Sequence, residues 1–369
     1  MYFSRILQIK KCVLLLLGLL MVTLTHGRTA HLPSTRAFAD SGVPYTPQNI
    51  PPSCRAAGQS VIKLVPKPAM VKENGSEVVL SSTPFLHVYA PALLSKDYIK
   101  SVFEELGITT LFLKHVEKKA VIFRIDQQQK GPEGAYVLDI ASLGTGGILI
   151  KANSKQGLLN GMQSLRQLVI KDQKGAIRAP SCLIEDEPKF SWRAFMLDES
   201  RHFQGAAVVK KLLDEMARLK FNTFHWHLVD DPGWRIEIKK YPLLTQTGSK
   251  RDFSHREISG QQWDSLFPGR KMFYTQNELK EIVRYADERG IRIIPEIEVP
   301  GHASASIYAY PWLGASSGQN GKPVWGDLYN ITDPKVETFI QDVLNEVMAI
   351  FPSKIIHIGG DEADYTHWK

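Results

Sequence analysis

Beyond Pro188 the sequence alternates short apolar segments typical of strands with amphipathic segments typical of helices. The predicted strands are Ser191–Asp198, Asn222–Leu228, Ile291–Ile297 and Lys354–Ile358. The predicted helices are Ala206–Lys220, Gln276–Arg289 and Pro334–Phe351. Strands joined through helices pair in parallel, and short strands followed by long loops are typical of a (β/α)8 barrel of the TIM type. This alternation therefore predicts an α/β barrel over residues 186–369.

The predicted barrel is incomplete, because a barrel of this type needs eight strands and the sequence supplies four. We expect the chain to hold the first half of the barrel, truncated after the fourth strand. Half a barrel leaves two exposed parallel edges and an uncovered apolar interior, which favours aggregation. We therefore expect residues 1–369 alone not to fold into a stable, active protein.

Residues 60–185 predict a smaller α+β domain in front of the barrel. Its strand-like segments are Val61–Val65, Glu77–Leu80, Ala120–Ile125, Ala135–Ile140 and Gly147–Lys151, and its helical segments are Leu94–Leu106 and Lys155–Ile170. Residues 28–59 are rich in Pro, Ser and Ala without a period, which predicts an extended linker. A hydrophobic fraction of 43% with 22% charged residues is typical of globular chains and excludes disorder, collagen and a coiled coil.

Residues 1–27 have the layout of a signal peptide. Arg5, Lys10 and Lys11 precede an apolar run over residues 12–25, which is shorter than the roughly 20 residues that span a bilayer. We expect cleavage near Gly27 and export through the secretory pathway. The final compartment, whether periplasm, lysosome or extracellular space, depends on the host, and a retained signal anchor is the alternative.

The charge distribution argues against a nucleic-acid partner. The formal net charge is +7, and part of that surplus belongs to the predicted signal peptide. The remaining positive charges are spread along the chain, with no basic block and no interleaved aromatic residues. This pattern makes nucleic acid an unsuitable main partner.

Polar residues follow each predicted strand of the barrel. They are Asp198 to His202 after the first strand, Asp230 and Asp231 after the second, Glu296, Glu298 and His302 after the third, and Asp361 and Glu362 after the fourth. Reactive groups of such barrels lie at the carboxyl ends of the strands. Acids, an arginine and a histidine that converge on one rim predict a polar site for a sugar-like or phosphate-like ligand.

The segment Ile355–Glu362 makes the strongest prediction of chemistry. An apolar strand runs into Gly359 and Gly360, which allow close approach of backbone and ligand, and then into two adjacent carboxylates. Two neighbouring carboxylates retain a proton more readily than one, and a protonated carboxylic acid can protonate a departing glycosidic oxygen. We assign this role to Glu362.

Four segments together resemble glycoside hydrolase family 20, the β-N-acetylhexosaminidases. They are Met196–Phe203 (MLDESRHF), His225–Asp231 (HWHLVDD), Pro295–His302 (PEIEVPGH) and His357–Glu362 (HIGGDE). Residues 60–185 also resemble the small α+β domain that precedes the barrel in this family. The resemblance implies an exo-acting, retaining glycosidase that removes terminal β-linked N-acetylhexosamine, either GlcNAc or GalNAc, from oligosaccharides or glycoconjugates. It implies no cofactor and no metal, and it allows a homodimer of the full-length parent.

The resemblance also implies substrate-assisted catalysis, in which the 2-acetamido oxygen of the sugar attacks the anomeric carbon. Glu362 would protonate the leaving oxygen and later deprotonate water, while Asp361 would hold the acetamido N–H. Asp230 and His302 would form a relay to Glu362. Arg201 would hydrogen-bond sugar hydroxyls with its fixed set of donors.

Two alternatives remain open at this point. The chain could be an inactive or carbohydrate-binding fragment of such an enzyme, because the second half of the barrel is missing. Alternatively, His225 and His227 lie two residues apart on one strand, a spacing that suits a metal-dependent hydrolase with His302, His357 and an acid. Cys54 and Cys182 could form one disulfide but no metal cluster.

Several neighbouring residues have structural interpretations. His225 and His227 could be core histidines with hydrogen-bonded rings, and Trp226 is expected to pack in the core on the opposite face of the strand. Arg193 and Asp198 could pair within the barrel. Glu296 and Glu298 could support the ligand-binding residues from behind, or they could belong to a salt-bridge network.

Overall fold

A computed structural model describes residues 62–117, 119–141, 146–250, 271–314 and 327–363. The predicted signal peptide, the predicted linker and Cys54 lie outside these described residues, so export and a Cys54–Cys182 disulfide stay predictions. Cys182 is a buried thiol. Within the described ranges, no helix combines the length and apolar character needed to cross a membrane.

The first part of the described chain forms an eight-stranded mixed sheet. Its strands are β1 (Met70–Ser81), β2 (Phe85–Tyr89), β3 (Thr109–Phe112), β4 (Val121–Ile125), β5 (Tyr136–Ile140), β6 (Ile148–Ala152), β7 (Ile170–Lys171) and β8 (Ile177–Asp186). The strand order is β1-β8-β5-β6-β4-β2-β3, with β7 beside β8. The predicted strand at Val61–Val65 is not formed over its described residues, whereas β2, β3, β7 and β8 were not predicted.

Two helices, α1 (Lys96–Glu104) and α2 (Lys155–Leu168), accompany this sheet. The Ser154 side chain caps the start of α2 by accepting a hydrogen bond from the Gly157 amide. A Cβ at Gly157 would overlap the Ala135 carbonyl, so glycine at this position permits close packing of α2 on the sheet. The α2 side chains then complete a buried apolar core with the sheet.

The second part contains three parallel strands, β9 (Ala194–Asp198), β10 (Thr223–His227) and β13 (Arg292–Glu296), in the order β13-β10-β9. The short strands β11 (Val229–Asp230) and β12 (Gly233–Trp234) form a hairpin. The helices are α3 (Ala206–Arg218), α4 (Leu243–Gln246), α5 (Gln276–Glu288), α6 (Ser304–Ala309) and α7 (Pro334–Ile350), with a 3-10 turn at Pro311–Leu313. In this register His227 lies opposite both Asp198 and Glu296, so the carboxyl ends of the three strands meet at one edge.

The prediction of a fourth strand at Lys354–Ile358 was wrong. Its residues make a single parallel bridge, between His357 and Glu296, and continue beside β13 through backbone hydrogen bonds. The second part is α/β with a parallel three-stranded sheet, and its described residues do not close into a barrel. Truncation of the barrel stays a prediction.

A buried carboxylate organises the core of this second part. Glu199, immediately after β9, accepts a hydrogen bond from Trp226 Nε1 at 2.6 Å and lies 2.8 Å from the Tyr274 hydroxyl. Trp226 is fully buried, so its predicted role in packing is confirmed. The predicted pairing of Arg193 with Asp198 was wrong, because the two residues lie at opposite ends of β9. Arg193 instead donates to the carbonyls of Phe190 and Lys220.

Lys220, just after α3, joins the second part of the chain to the first. Its side chain is buried, and its Nζ lies 2.9 Å from Asp186 Oδ2 and 2.9 Å from the Tyr136 hydroxyl. The same Nζ lies 4.8 Å from the centroid of the Tyr136 ring, where a cation–π interaction is favourable. Burial lowers the pKa of the Lys220 ammonium, and the charge of Asp186 opposes that shift.

We expect Asp186→Ala to destabilise the full-length protein by about 3–5 kcal/mol, because the buried ammonium of Lys220 would lose its counter-ion. The free energy of unfolding should be measured by urea titration beside Glu187→Ala, which removes an exposed acid one residue away. The double variant Asp186→Ala/Lys220→Met should recover much of the loss. Equal effects of the Asp186 and Glu187 substitutions would contradict this account of the junction.

Candidate active site

Arg201 lies where β9 and β10 end, held between two carboxylates. Its Nη1 lies 2.8 Å from Asp198 Oδ2, and its Nη2 lies 2.7 Å from Asp230 Oδ2. Asp230 is buried, whereas 39% of the Arg201 side chain is exposed. The two ion pairs fix the guanidinium plane at the rim, while part of it still faces solvent and can contact a ligand.

His302 lies beside both aspartates of the segment that follows β10, Asp230 and Asp231. Its Nδ1 is 3.1 Å from Asp231 Oδ2 and 3.4 Å from Asp230 Oδ1. Asp231 also accepts hydrogen bonds from the Ser304 amide and hydroxyl, so its carboxylate is firmly oriented. The sequence predicted Asp230 as the partner of His302, and the structure adds Asp231 as a closer one. Asp231 was not predicted as a partner of His302, and its position next to Asp230 in the sequence was the signal that could have revealed it.

The other side of the His302 ring faces the two adjacent acids. Its Nε2 lies 3.4 Å from Glu362 Oε2 and 3.7 Å from Asp361 Oδ2. Both acids are exposed, whereas the ring is mostly buried. The structure thus brings all five residues predicted for the site to one edge of the sheet: Arg201, Asp230, His302, Asp361 and Glu362.

Burial alone would lower the pKa of His302, but its hydrogen bond to Asp231 and the negative charges of Asp230 and Asp231 raise it above its ordinary value. These contacts stabilise the charged form of the imidazole, and that form attracts a carboxylate on its far side. His302 and Glu362 also both have positive φ, at 50° and 51°. Such backbone angles are uncommon outside glycine and tend to occur at functional sites.

A network of imidazoles and carboxylates lies below this edge, in which His227, Glu296 and Glu298 are buried and His357 is exposed. Glu296 Oε2 is 2.7 Å from His225 Nε2, and Glu296 Oε1 is 2.6 Å from His357 Nδ1. His227 Nδ1 lies 3.4 Å from Glu296 Oε2, and His227 Nε2 lies 3.4 Å from Glu298 Oε1. The interpretation of these residues as hydrogen-bonded histidines and a salt-bridge network is confirmed. Burial would raise the pKa of Glu296, but hydrogen bonding to His225 and the nearby imidazoles lower it.

Some of these side chains could reach a common metal ion. Two such groups are His225 with Glu296 and His357, and His227 with Asp230 and Glu298. Among the described residues, no group combines His225 and His227 with His302. The donors required for the predicted metal-dependent hydrolase are therefore divided between separate groups.

Two family profiles match the chain. The one described as "Glycosyl hydrolase family 20, catalytic domain" matches residues 190–369. The one described as "Glycosyl hydrolase family 20, domain 2" matches residues 61–187. Together they cover both parts of the described chain.

Curated relatives share this similarity. The beta-hexosaminidase of Porphyromonas gingivalis is 44% identical over 325 residues, which are 84% of this chain and 40% of the relative. The beta-hexosaminidase of Vibrio furnissii is 42% identical over 243 residues, which are 64% of this chain and 38% of the relative. The chain therefore spans about 40% of the length of these relatives.

Solved structures agree with the sequence comparisons. The GH20 exo beta-N-acetylglucosaminidase of Vibrio harveyi, solved with N-acetylglucosamine, superposes with a TM-score of 0.71 at 32% identity. That match covers 83% of this chain and 47% of the other. The beta-N-acetylhexosaminidase of Bacteroides fragilis has a TM-score of 0.67 at 33% identity, over 82% of this chain and 57% of the other.

Proposed function

Because the chain belongs to glycosyl hydrolase family 20, we propose that the full-length protein removes terminal β-linked N-acetylhexosamine from oligosaccharides or glycoconjugates. The observation that carries this proposal is the line from the Asp230–Asp231 pair through His302 to Glu362, with Arg201 beside it. The names of the relatives, beta-hexosaminidases, support the same class of substrate.

The proposed reaction retains the configuration at the anomeric carbon. The 2-acetamido oxygen of the sugar forms a bond to that carbon while the glycosidic C–O bond breaks, and Glu362 transfers its proton to the departing oxygen. The resulting oxazolinium ion is then attacked by water, whose proton passes to Glu362. The second attack reopens the ring and regenerates the acid, so no carboxylate of the protein forms a covalent bond to the sugar.

The remaining residues of the site support this reaction in separate ways. Asp361 accepts a hydrogen bond from the acetamido N–H and stabilises the positive charge that develops on that group. Arg201 binds sugar hydroxyls with the exposed part of its guanidinium. His302, oriented by Asp230 and Asp231, holds Glu362 in place and takes part in its proton exchange.

Two further expectations belong to this proposal. Export rests on the signal-peptide layout of residues 1–27. A homodimer of the full-length protein rests on the resemblance to the family alone. N-terminal sequencing of the secreted protein would test export and cleavage of the signal peptide. The mass of the purified protein in solution would test the homodimer.

The proposed function is tested by hydrolysis of three 4-nitrophenyl β-D-glycosides: the N-acetylglucosaminide, the N-acetylgalactosaminide and the glucoside. We expect 4-nitrophenol release from one or both acetamido sugars and almost none from the glucoside, because only the acetamido group supplies the nucleophile. Comparable hydrolysis of the glucoside would contradict substrate assistance. A folded, soluble protein that cleaves none of them would favour a carbohydrate-binding role.

A further inference from the structure

Glu298 is a buried carboxylate just beyond the end of β13, with 1% of its surface exposed. The backbone around it runs beside the segment that leads to the two adjacent acids. The Ile297 amide donates to the His357 carbonyl at 3.0 Å, and the Val299 amide donates to the Ile358 carbonyl at 3.0 Å. This pairing places the Glu298 side chain against the turn that follows Ile358.

That turn, Gly359–Gly360, packs against the Glu298 carboxylate. The Gly360 amide lies 3.4 Å from Glu298 Oε2. A Cβ at Gly359 would overlap the same carboxylate, and both glycines have positive φ, at 62° and 95°. The turn therefore depends on glycine for its backbone angles and for its close contact with Glu298. Asp361 and Glu362 follow it directly.

The other oxygen of Glu298 faces the residues that end β10. Glu298 Oε1 lies 3.4 Å from His227 Nε2, and the same nitrogen lies 3.2 Å from Asp230 Oδ2. A path of polar contacts thus connects Asp230 to the Gly359–Gly360 turn without passing through His302. Glu298 and His227 therefore support this edge of the site in addition to His302.

We propose that Glu298 is a positioning residue of the reaction. It fixes the position and orientation of the Gly359–Gly360 turn and thereby the positions of Asp361 and Glu362. This inference rests on the proposed function. Glu298 acts through the turn and through His227, and it needs no contact with the sugar.

The charges around Glu298 suit this role. Burial, together with the charges of Glu296 and Asp361, raises the pKa of Glu298 to about 7, although the imidazoles of His227 and His302 oppose that rise. A carboxyl group that holds its proton for part of the time can pack beside other acids with less repulsion. Glutamine is the closest uncharged replacement for that protonated form.

The test compares Glu298→Gln with Glu298→Met in the full-length protein. The two replacements have similar length, but only glutamine keeps an oxygen that can accept from the Gly360 amide. We expect the methionine variant to lower kcat by about 10- to 100-fold with little change in KM, because a displacement of about 1 Å at the reacting groups has an effect of this size. Glutamine should restore most of the rate.

Hydrogen exchange of the Gly360 amide gives a second readout that does not require activity. We expect faster exchange in Glu298→Met than in the wild type and in Glu298→Gln, with thermal unfolding of all three proteins compared as the control. The inference would be overturned if Glu298→Met kept the kcat of the wild type and the same exchange rate of the Gly360 amide. If the wild-type protein hydrolyses none of the glycosides, the proposed function fails, and the exchange measurement still decides whether Glu298 holds the turn.

Discussion

Replacing Glu362 with glutamine is expected to lower kcat/KM of the full-length protein by about 10²- to 10⁴-fold, the usual contribution of a general acid–base residue. Glutamine has nearly the same shape as glutamate but cannot donate the proton that the leaving oxygen needs. The loss should be smaller for a 4-nitrophenyl glycoside than for a disaccharide, because 4-nitrophenolate departs without much protonation. The measurement is steady-state hydrolysis of both substrates.

Glu104→Gln is the matched control for this experiment. Glu104 is an exposed glutamate at the end of α1, paired with Lys100 at 3.6 Å, and it lies in the first part of the chain. Its replacement should leave both rates unchanged. Equal losses on the two substrates in Glu362→Gln would contradict a role for Glu362 in protonating the leaving group.

Asp361→Asn is expected to lower kcat by about 10²- to 10³-fold, a loss typical of removing one group that stabilises charge in the transition state. Asparagine keeps the shape of the side chain but removes the negative charge that stabilises the developing oxazolinium ion. This loss should be similar for the 4-nitrophenyl glycoside and the disaccharide, because Asp361 acts on the nucleophile. Measuring both substrates therefore separates its role from that of Glu362.

A different pattern would contradict the assignment of Asp361. If Asp361→Asn slowed the disaccharide far more than the 4-nitrophenyl glycoside, the residue would be acting on the leaving group. If it raised KM without changing kcat, its contribution would be uniform binding of the sugar. Circular dichroism of the variant should match the wild type in either case, since Asp361 is exposed.

The sequence predicted the elements with strong periodicity closely, whereas strands such as β2, β3 and β8 were missed. Helix α2 and strand β5 were placed within two residues of their observed ends. Strand β8 was missed because Pro180 lies inside it, and proline lowers the expectation of a strand. Pro180 is accommodated there opposite Glu77, where the register between β1 and β8 shifts.

The candidate site was predictable because parallel strands bring their carboxyl ends to one edge. The geometry between adjacent residues was not predictable, since the sequence gives no means of deciding whether Asp230 or Asp231 lies closer to His302. That choice depends on the hairpin of β11 and β12, which orients Asp230 towards Arg201. The position of Glu298 beneath Gly359 likewise follows from backbone pairing between distant segments.

The junction at Lys220 has a consequence for how this chain can be recombined. The two family profiles meet between residues 187 and 190, which makes that point a natural crossover for chimeric genes. A crossover there would separate Lys220 from Asp186 and Tyr136 and give the ammonium new neighbours. A foreign first module would therefore have to supply an anion at that position to keep the Lys220 ammonium paired.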